Sequence, residues 1–236
     1  MSAGPPTDAA DAPDAADAPD AADAPDAADA PDAADAPDPA LAPTARPEYA
    51  DRLRTLQSRR WKQWVDVQAP YRWFLRRLRL GRTLDVGCGV GRNLANLGGD
   101  VVGVDHNADA VARCRAEGFA AYTAAEFPES ADARLGTFDA LLFSHVLEHM
   151  DRARAAALVA EYRPYLRPGG RIVMITPQER GYASDATHVE LHDLDGLRAI
   201  AGDLGLAVEQ ARSFPFPRIA GRIFTYNEFV VVARSV

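Results

Sequence analysis

The chain has 236 residues, 47% of them hydrophobic and 25% charged, with a formal net charge of −8 at pH 7. That length allows one or two domains. Its two cysteines, Cys88 and Cys114, form neither a disulfide framework nor a C-x-x-C metal motif. No apolar run approaches the roughly 20 residues of a membrane span, and the N-terminus shows no basic and apolar leader pattern. A cytoplasmic protein that does not enter a membrane is expected.

Five hexads of Ala-Asp-Ala-Pro-Asp-Ala run from Ala10 to Asp38, the last closing with Pro39. Proline every sixth residue breaks a helix, the Asp residues repel one another, and alanine offers too little apolar area to offset ordering entropy. Residues 1–45 are therefore expected to be a disordered acidic tail. The segment also distorts the charge balance. It holds eleven of the 34 acidic residues, so the remainder carries 23 against all 26 Lys and Arg, about +3. Basic residues are grouped with interleaved aromatics only between Arg52 and Arg79, a stretch that reads as a solvated helix face, and a nucleic-acid partner is not expected.

From Pro47 to Leu80 apolar residues recur at helical spacing, with Pro70 dividing the run, so residues 46–80 read as two N-terminal helices. Trp61, Trp64 and Trp73 all fall here and are expected to pack these helices onto the rest of the fold. Next comes LDVGCGVGRN, Leu84 to Asn93: an apolar run ending in Asp85 and Val86, then Gly87, Gly89 and Gly91 at alternate positions. Glycine is needed where φ is positive or where backbone must approach a ligand closely, and a helix opening just beyond presents unpaired N–H groups. The pattern reads as strand, tight turn and helix, a seat for a small polar ligand. Arg92 stands where the dinucleotide fingerprint needs its third glycine, which weighs against a pyrophosphate.

Val101 to Val104 reads as a second strand ending in Asp105, whose carboxylate offers two acceptor oxygens to a ribose diol. Asn107 to Glu117 is a helix closed by Gly118, and Ala120 to Thr123 a third strand. Phe138 to Phe143 is a buried strand. Asp151 caps a helix whose apolar face is Leu158, Tyr162 and Leu166, with Pro164 tightening its end. LRPGG, Leu166 to Gly170, leads into the strand RIVMIT, which ends at Pro177. Leu194, Leu197, Ile200 and Leu204 mark a last helix stopped by Gly205. Val208 to Ser213 and Phe229 to Ala233 are expected to pair antiparallel, and the Pro-, Gly- and aromatic-rich stretch between them to form a lid on the substrate side.

The G-x-G-x-G turn preceded by Asp85, the acid after strand two, the FDALLFSHVLEHM segment and LRPGG plus strand stand in one order over Thr83 to Pro177. Together they resemble the class I S-adenosylmethionine (SAM)-dependent methyltransferases. The resemblance implies an α/β fold with a seven-stranded, mostly parallel twisted sheet and helices on both faces, occupying residues 81–236 behind the helical extension and tail. It implies SAM as cofactor at the carboxyl ends of strands one and four. The residues it places there are Asp85, Gly87, Cys88, Gly89, Gly91 and Asn93 of the turn, Asp105 and His106, Ser144, and Glu126 with Phe127 bracketing the adenine.

Methyl transfer to oxygen also needs a group that takes the acceptor's proton. SHVLEHM supplies His145, Glu148 and His149 at i, i+3 and i+4, on one face of any helical turn. His145 and His149 are the candidate catalytic bases. Some class I O-methyltransferases of the small-RNA 3′-terminal and ubiquinone-pathway types look similar here, with E-x-x-E-H and a later histidine completing a divalent-metal site. By that resemblance His145, Glu148, His149 and His188 are candidate metal ligands, although His145 stands where those enzymes have Glu. The same letters match H-x-x-E-H, a zinc-hydrolase pattern, as a remote alternative. The acceptor face is expected in the loop from Gln178 to His192, including Arg180, Tyr182 and Asp185, and in the lid from Arg218 to Asn227. Both suit a small hydroxylated or phenolic acceptor. The non-enzymatic alternative, a SAM-binding regulatory module, requires a closed acceptor pocket or an occluded base face. The sequence sets no oligomeric state.

Overall fold

The computed structural model describes residues 69–235. The acidic tail, the first N-terminal helix with Trp61 and Trp64, and the boundaries at 45 and 46 lie outside them. Helix α1 (Ala69–Arg77) begins the described chain, with Pro70 in its first turn, where a missing N–H costs nothing. Then follow β1 (Thr83–Val86), α2 (Arg92–Leu97), β2 (Val101–Asp105), α3 (Ala108–Ala116), β3 (Ala120–Thr123) and β4 (Phe138–Ser144). The second half is α4 (Arg152–Tyr162), β5 (Leu166–Pro177), α5 (Glu179–Tyr182), α6 (Leu194–Asp203), β6 (Ala207–Phe214) and β7 (Glu228–Arg234).

The seven strands form one sheet in the order β3-β2-β1-β4-β5-β7-β6. The strands β1 to β5 pair parallel to their sheet neighbours among themselves, while β7 runs antiparallel to both β5 and β6. Alternation along the central strands fixes two apolar faces. Leu141 and Phe143 of β4, Ile172 and Met174 of β5, and Phe229 and Val231 of β7 pack with Val159 and Tyr162 of α4 and Leu197 and Ile200 of α6. Ala140, Leu142, Val173, Ile175, Val230 and Val232 face the other way, under Tyr71, Phe74 and Leu75 of α1. Helices thus cover both faces, as the resemblance implies.

Asp151 caps its helix as expected, and Asn107, read from the sequence as the first helical residue, is the N-cap of α3. Asn107 Oδ1 accepts from Ala110 N at 3.0 Å, and Asp151 Oδ1 from Arg154 N at 2.9 Å. Asp193, which the periodicity alone does not single out, caps α6 through Asp195 N and Gly196 N. Two expectations need correction. Leu166 does not continue the face of α4: the helix stops at Tyr162, Pro164 tightens a 3₁₀ turn over Arg163–Tyr165, and Leu166 opens β5. Trp73 does not pack onto the sheet but is 60% exposed, with the Arg77 guanidinium 5.4 Å from its ring centroid. None of the helices among the described residues is long and apolar enough to cross a membrane.

Candidate active site

Parallel strands bring the carboxyl ends of β1, β2, β4 and β5 to one edge, and the sheet order reverses between β1 and β4. Ligands of open α/β sheets bind at such a switch point. A cavity of about 1090 Å³ opens there. Small-molecule sites commonly fill roughly 300–1,000 Å³, so this one lies just above the upper end of that range.

One end is built on the glycine turn. Gly87 and Gly89 take φ of 79° and 52°, and a Cβ on Gly87 would come within 2.7 Å of the Val146 side chain. The N–H groups of Gly87 and Cys88 both donate to Val104 O, at 2.8 and 3.1 Å, tying the turn to β2. Asp105 accepts from Gly89 N at 2.7 Å through one oxygen and from Asn107 N at 2.8 Å through the other. Each oxygen keeps a further lone pair, and the carboxylate is held rigidly in the cavity wall. Cys88, Asn93, His106 and Ser144 line the same end. Asp85 lies buried behind them, one oxygen 3.4 Å from Asn93 Nδ2 and the other without a partner. Burial pushes its carboxyl up to about 7.

Three further candidates sit elsewhere. Gly91, at φ 83°, occupies the N-cap of α2, where a Cβ would meet Cys114 Sγ at 3.0 Å; it shapes the turn without lining the cavity. Phe127 is buried in the core against Tyr122, Tyr162 and Tyr165. Glu126 points to solvent and pairs with Arg115 at 2.7 Å. Ala124 lines the cavity at this place, while Glu126 and Phe127 do not. The residue after β3 that lines the cavity therefore stands two positions before Glu126.

The other end gathers Glu148, His149 and His188. Leu147–His149 is a single 3₁₀ turn directly after β4, which throws Glu148 inward, and both of its carboxylate oxygens are buried without a hydrogen bond. His149 Nδ1 lies 3.2 Å from Thr187 O and from Thr187 Oγ1, and the latter donates to Asp185 Oδ1 at 2.9 Å. The proton therefore sits on Nδ1 of His149 and the lone pair on Nε2. His188 Nδ1 likewise donates to Tyr182 O at 2.7 Å, with its ring stacked on Tyr182. One ligand atom from each of Glu148, His149 and His188 lies within 4.8 Å of the others. An imidazole anchored through one nitrogen on a backbone carbonyl is the usual support of a metal-ligating histidine.

Of the expected acceptor loop, Asp185 and His188 line the cavity with Gly181 and Ser184, whereas Arg180 and Tyr182 do not. The lid contributes Phe224, Thr225 and Tyr226, joined by Phe214, Pro215 and Phe216 just before it. Two buried amides hold it down. Asn227 Nδ2 donates to Gln178 Oε1 at 3.0 Å and Asn227 Oδ1 accepts from Phe216 N at 2.9 Å, while Gln178 Nε2 donates to Ser213 Oγ and Glu228 O. Arg218 pairs with Glu179 beneath the lid. Asn227→Ala strands the Phe216 N–H and Gln178 Oε1, a loss of about 1–3 kcal/mol for each group left unpaired. The expected result is a lower Tm and faster proteolytic nicking between residues 215 and 226, read by denaturation and limited digestion. An unchanged nicking rate would show that these amides do not hold the lid.

A family model described as a methyltransferase domain matches residues 49–211. The chain belongs to the class I SAM-dependent methyltransferases. No curated protein matches the sequence. Among solved structures the methyltransferase is similar to a SAM-dependent methyltransferase from Archaeoglobus fulgidus, at 19% identity over 70% of this chain and 93% of that one, TM-score 0.55. A putative methyltransferase of Haloferax volcanii, solved in complex with its methyltransferase activator, gives 17% identity over 80% and 94% of the two chains, TM-score 0.58. Magnesium protoporphyrin IX methyltransferase from Synechocystis with bound SAH gives 16% over 79% and 98%, TM-score 0.52. At these identities the likeness is one of fold.

Within the methyltransferase, His145 does not join the cluster that the sequence assigns it to. Its backbone is left-handed, with φ 59°, and its ring lies between two carboxylates, one of them the cluster's own: Nε2 is 2.8 Å from Glu228 Oε1 and Nδ1 is 3.4 Å from Glu148 Oε1. Burial alone would lower its pKa, but the two carboxylates outweigh burial and raise it to about 9. A pKa raised in this way favours the imidazolium at neutral pH and weighs against His145 as a base. Burial and the neighbouring His188 keep His149 below the usual imidazole range, so His149 is neutral there. The H-x-x-E-H hydrolase geometry is absent too, since the segment is a strand end and one 3₁₀ turn, and its two histidines face different partners.

A raised histidine pKa stabilises the fold fully below about 6.5, and that contribution disappears as pH climbs through about 9. Glu228→Gln removes the carboxylate that contributes most to the rise. The alkaline limb of the Tm–pH curve is then expected to move down by roughly 1–3 pH units, the usual effect of one close opposite charge. An unmoved limb would mean that His145 is not held protonated by Glu228.

Sequence reasoning missed Glu228, Tyr71 and Arg92. Tyr71 reaches over the cavity from α1, its hydroxyl 2.6 Å from Ser144 Oγ, with the Arg92 guanidinium 5.5 Å from its ring centroid. An acid at the start of the apolar run EFVVVA was the one available signal for Glu228. Tyr71 carried none, being one more member of a helix's apolar face.

Proposed function

We propose that the enzyme transfers the methyl group of SAM to an oxygen of a small hydroxylated or phenolic acceptor. The observation that supports this most directly is one cavity with the glycine turn and Asp105 at one end and Glu148, His149 and His188 at the other. The turn fits SAM. Gly87 and Gly89 leave room for backbone contact, and Asp105 presents oxygens to a ribose diol. When bound, SAM supplies a methyl group on a sulfonium that departs in an in-line displacement. Everything else is positioning: the turn fixes the donor, and the histidine end fixes the acceptor oxygen and takes its proton. The open cavity, with the cluster in its wall, does not meet the conditions of a regulatory module.

The cluster fits a divalent ion as well as a bare base. A buried carboxylate whose Oε2 has no partner, beside two anchored imidazoles, forms a three-ligand set that leaves positions for an acceptor oxygen, while its Oε1 faces His145. Glu148, His149 and His188 would hold the ion, whose charge would lower the pKa of that oxygen's proton. Two nitrogens and one carboxylate suit a borderline cation better than magnesium. Incubating the protein and isotopically labelled SAM with a metabolite extract from its own source, and locating the label by mass spectrometry, tests the reading. A methyl group found on nitrogen or carbon would overturn the oxygen assignment.

A further inference from the structure

Nine large hydrophobic side chains stand exposed among the described residues, and five of them fall within residues 216–226. Phe216, Phe224 and Tyr226 are 50%, 37% and 40% exposed, yet the same three side chains line the cavity. They form a continuous strip, with ring centroids 5.3 Å apart from Phe216 to Phe224 and 5.7 Å from Phe224 to Tyr226, both edge to face. Ile219 and Ile223, 74% and 83% exposed, add apolar surface on the same segment without lining the cavity. Contiguous exposed apolar surface of this kind on a soluble chain marks a place where something binds. The wall is preformed, because Asn227, Gln178 and the Arg218–Glu179 pair hold its backbone.

We propose that the acceptor is amphipathic: a hydroxylated head reaches Glu148, His149 and His188, and an apolar chain or ring system leaves the cavity along Phe214, Phe216, Phe224 and Tyr226. This rests on the reading of the cavity as an acceptor site. A surface for docking another protein would place its aromatics outside the cavity, whereas here the same rings face the cavity and the solvent. They therefore suit a ligand that begins inside and ends outside.

The test uses the full chain saturated with S-adenosylhomocysteine and titrated calorimetrically with 4-n-alkylphenols from methyl to heptyl. Each methylene moved from water to an apolar wall should tighten binding by roughly 3–4-fold. In Phe216→Ser/Phe224→Ser the gain should fall below about twofold per methylene. Phe216→Leu/Phe224→Leu should keep the slope, and unchanged S-adenosylhomocysteine affinity in both variants shows that they fold. A flat series in the wild type, no measurable alkylphenol binding, or an undiminished slope in the Ser variant overturns the proposal. So does a concentration-dependent dimer that Ile219→Ser/Ile223→Ser abolishes while the series stays flat, since the strip would then belong to a second copy. If S-adenosylhomocysteine itself does not bind, the proposed function falls and takes this inference with it. If it binds and an oxygen is methylated while the series is flat, this inference alone is lost.

Discussion

His149→Ala is expected to lower the rate of methyl transfer by roughly 10²–10⁴-fold, the scale of a positioned proton transfer, while leaving S-adenosylhomocysteine binding at the other end of the cavity intact. Glu148→Gln and His188→Ala separate the two ways in which the cluster can work. If it holds an ion, both fall as far as His149→Ala, since a site short of one ligand loses affinity and geometry together. A chelator then abolishes activity and a single divalent ion restores it, and that ion also raises Tm in the wild type but not in the three variants. If His149 acts alone as a base, chelators do nothing and His188→Ala stays near the wild-type rate. Its anchoring by Thr187 and its neutral state at pH 7 permit either role. Wild-type rates for His149→Ala in the presence of chelator would exclude both and leave catalysis to positioning.

The second large effect is at the cofactor end. SAM or its demethylated product at 100 times its Kd is expected to stabilise the fold by ~2.7 kcal/mol, a rise on the order of 5–10 °C in Tm for a domain of this size. Asp105→Ala should remove most of that rise, because the carboxylate both lines the cavity and fixes Gly89 through its N–H at 2.7 Å. Gly87→Val should remove all of it, since the Val146 side chain already stands 2.7 Å from where the Cβ would be. Glu126→Ala should change nothing, its charge being spent on Arg115 at the surface. These differences are readable by differential scanning calorimetry with and without ligand. A comparable rise with NAD and none with SAM would sink the cofactor assignment.

What the sequence by itself determined about this protein is what a few neighbouring residues control. The turn after β1 was legible because three positive-φ positions demand glycine wherever they occur, and an apolar run before them marks the strand. Asp105 was legible because its place at the end of an apolar run makes it the last residue of a parallel strand, and all such strands end on the ligand's side. The cap at Asp151 is local for the same reason.

Only the tertiary structure decided which side chains share an environment. Glu228 meets His145 across 83 positions of sequence and Tyr71 meets Ser144 across 73, and no periodicity reports such pairs. His145 reads as the equal of His149 in the letters SHVLEH. The fold makes one a protonated partner of two buried carboxylates and the other a neutral imidazole anchored on Thr187, because a left-handed residue at the strand end turns the first ring away from the second. Phe127 and Glu126 were assigned by analogy to the adenine, but the 3₁₀ turn Phe127–Glu129 turns the aromatic ring into the core and leaves the acid outside. Local geometry is written in backbone preferences that span a few residues. Charge state, ligation and exposure follow from what packs against each group, and that is settled only when the sheet brings distant strands together.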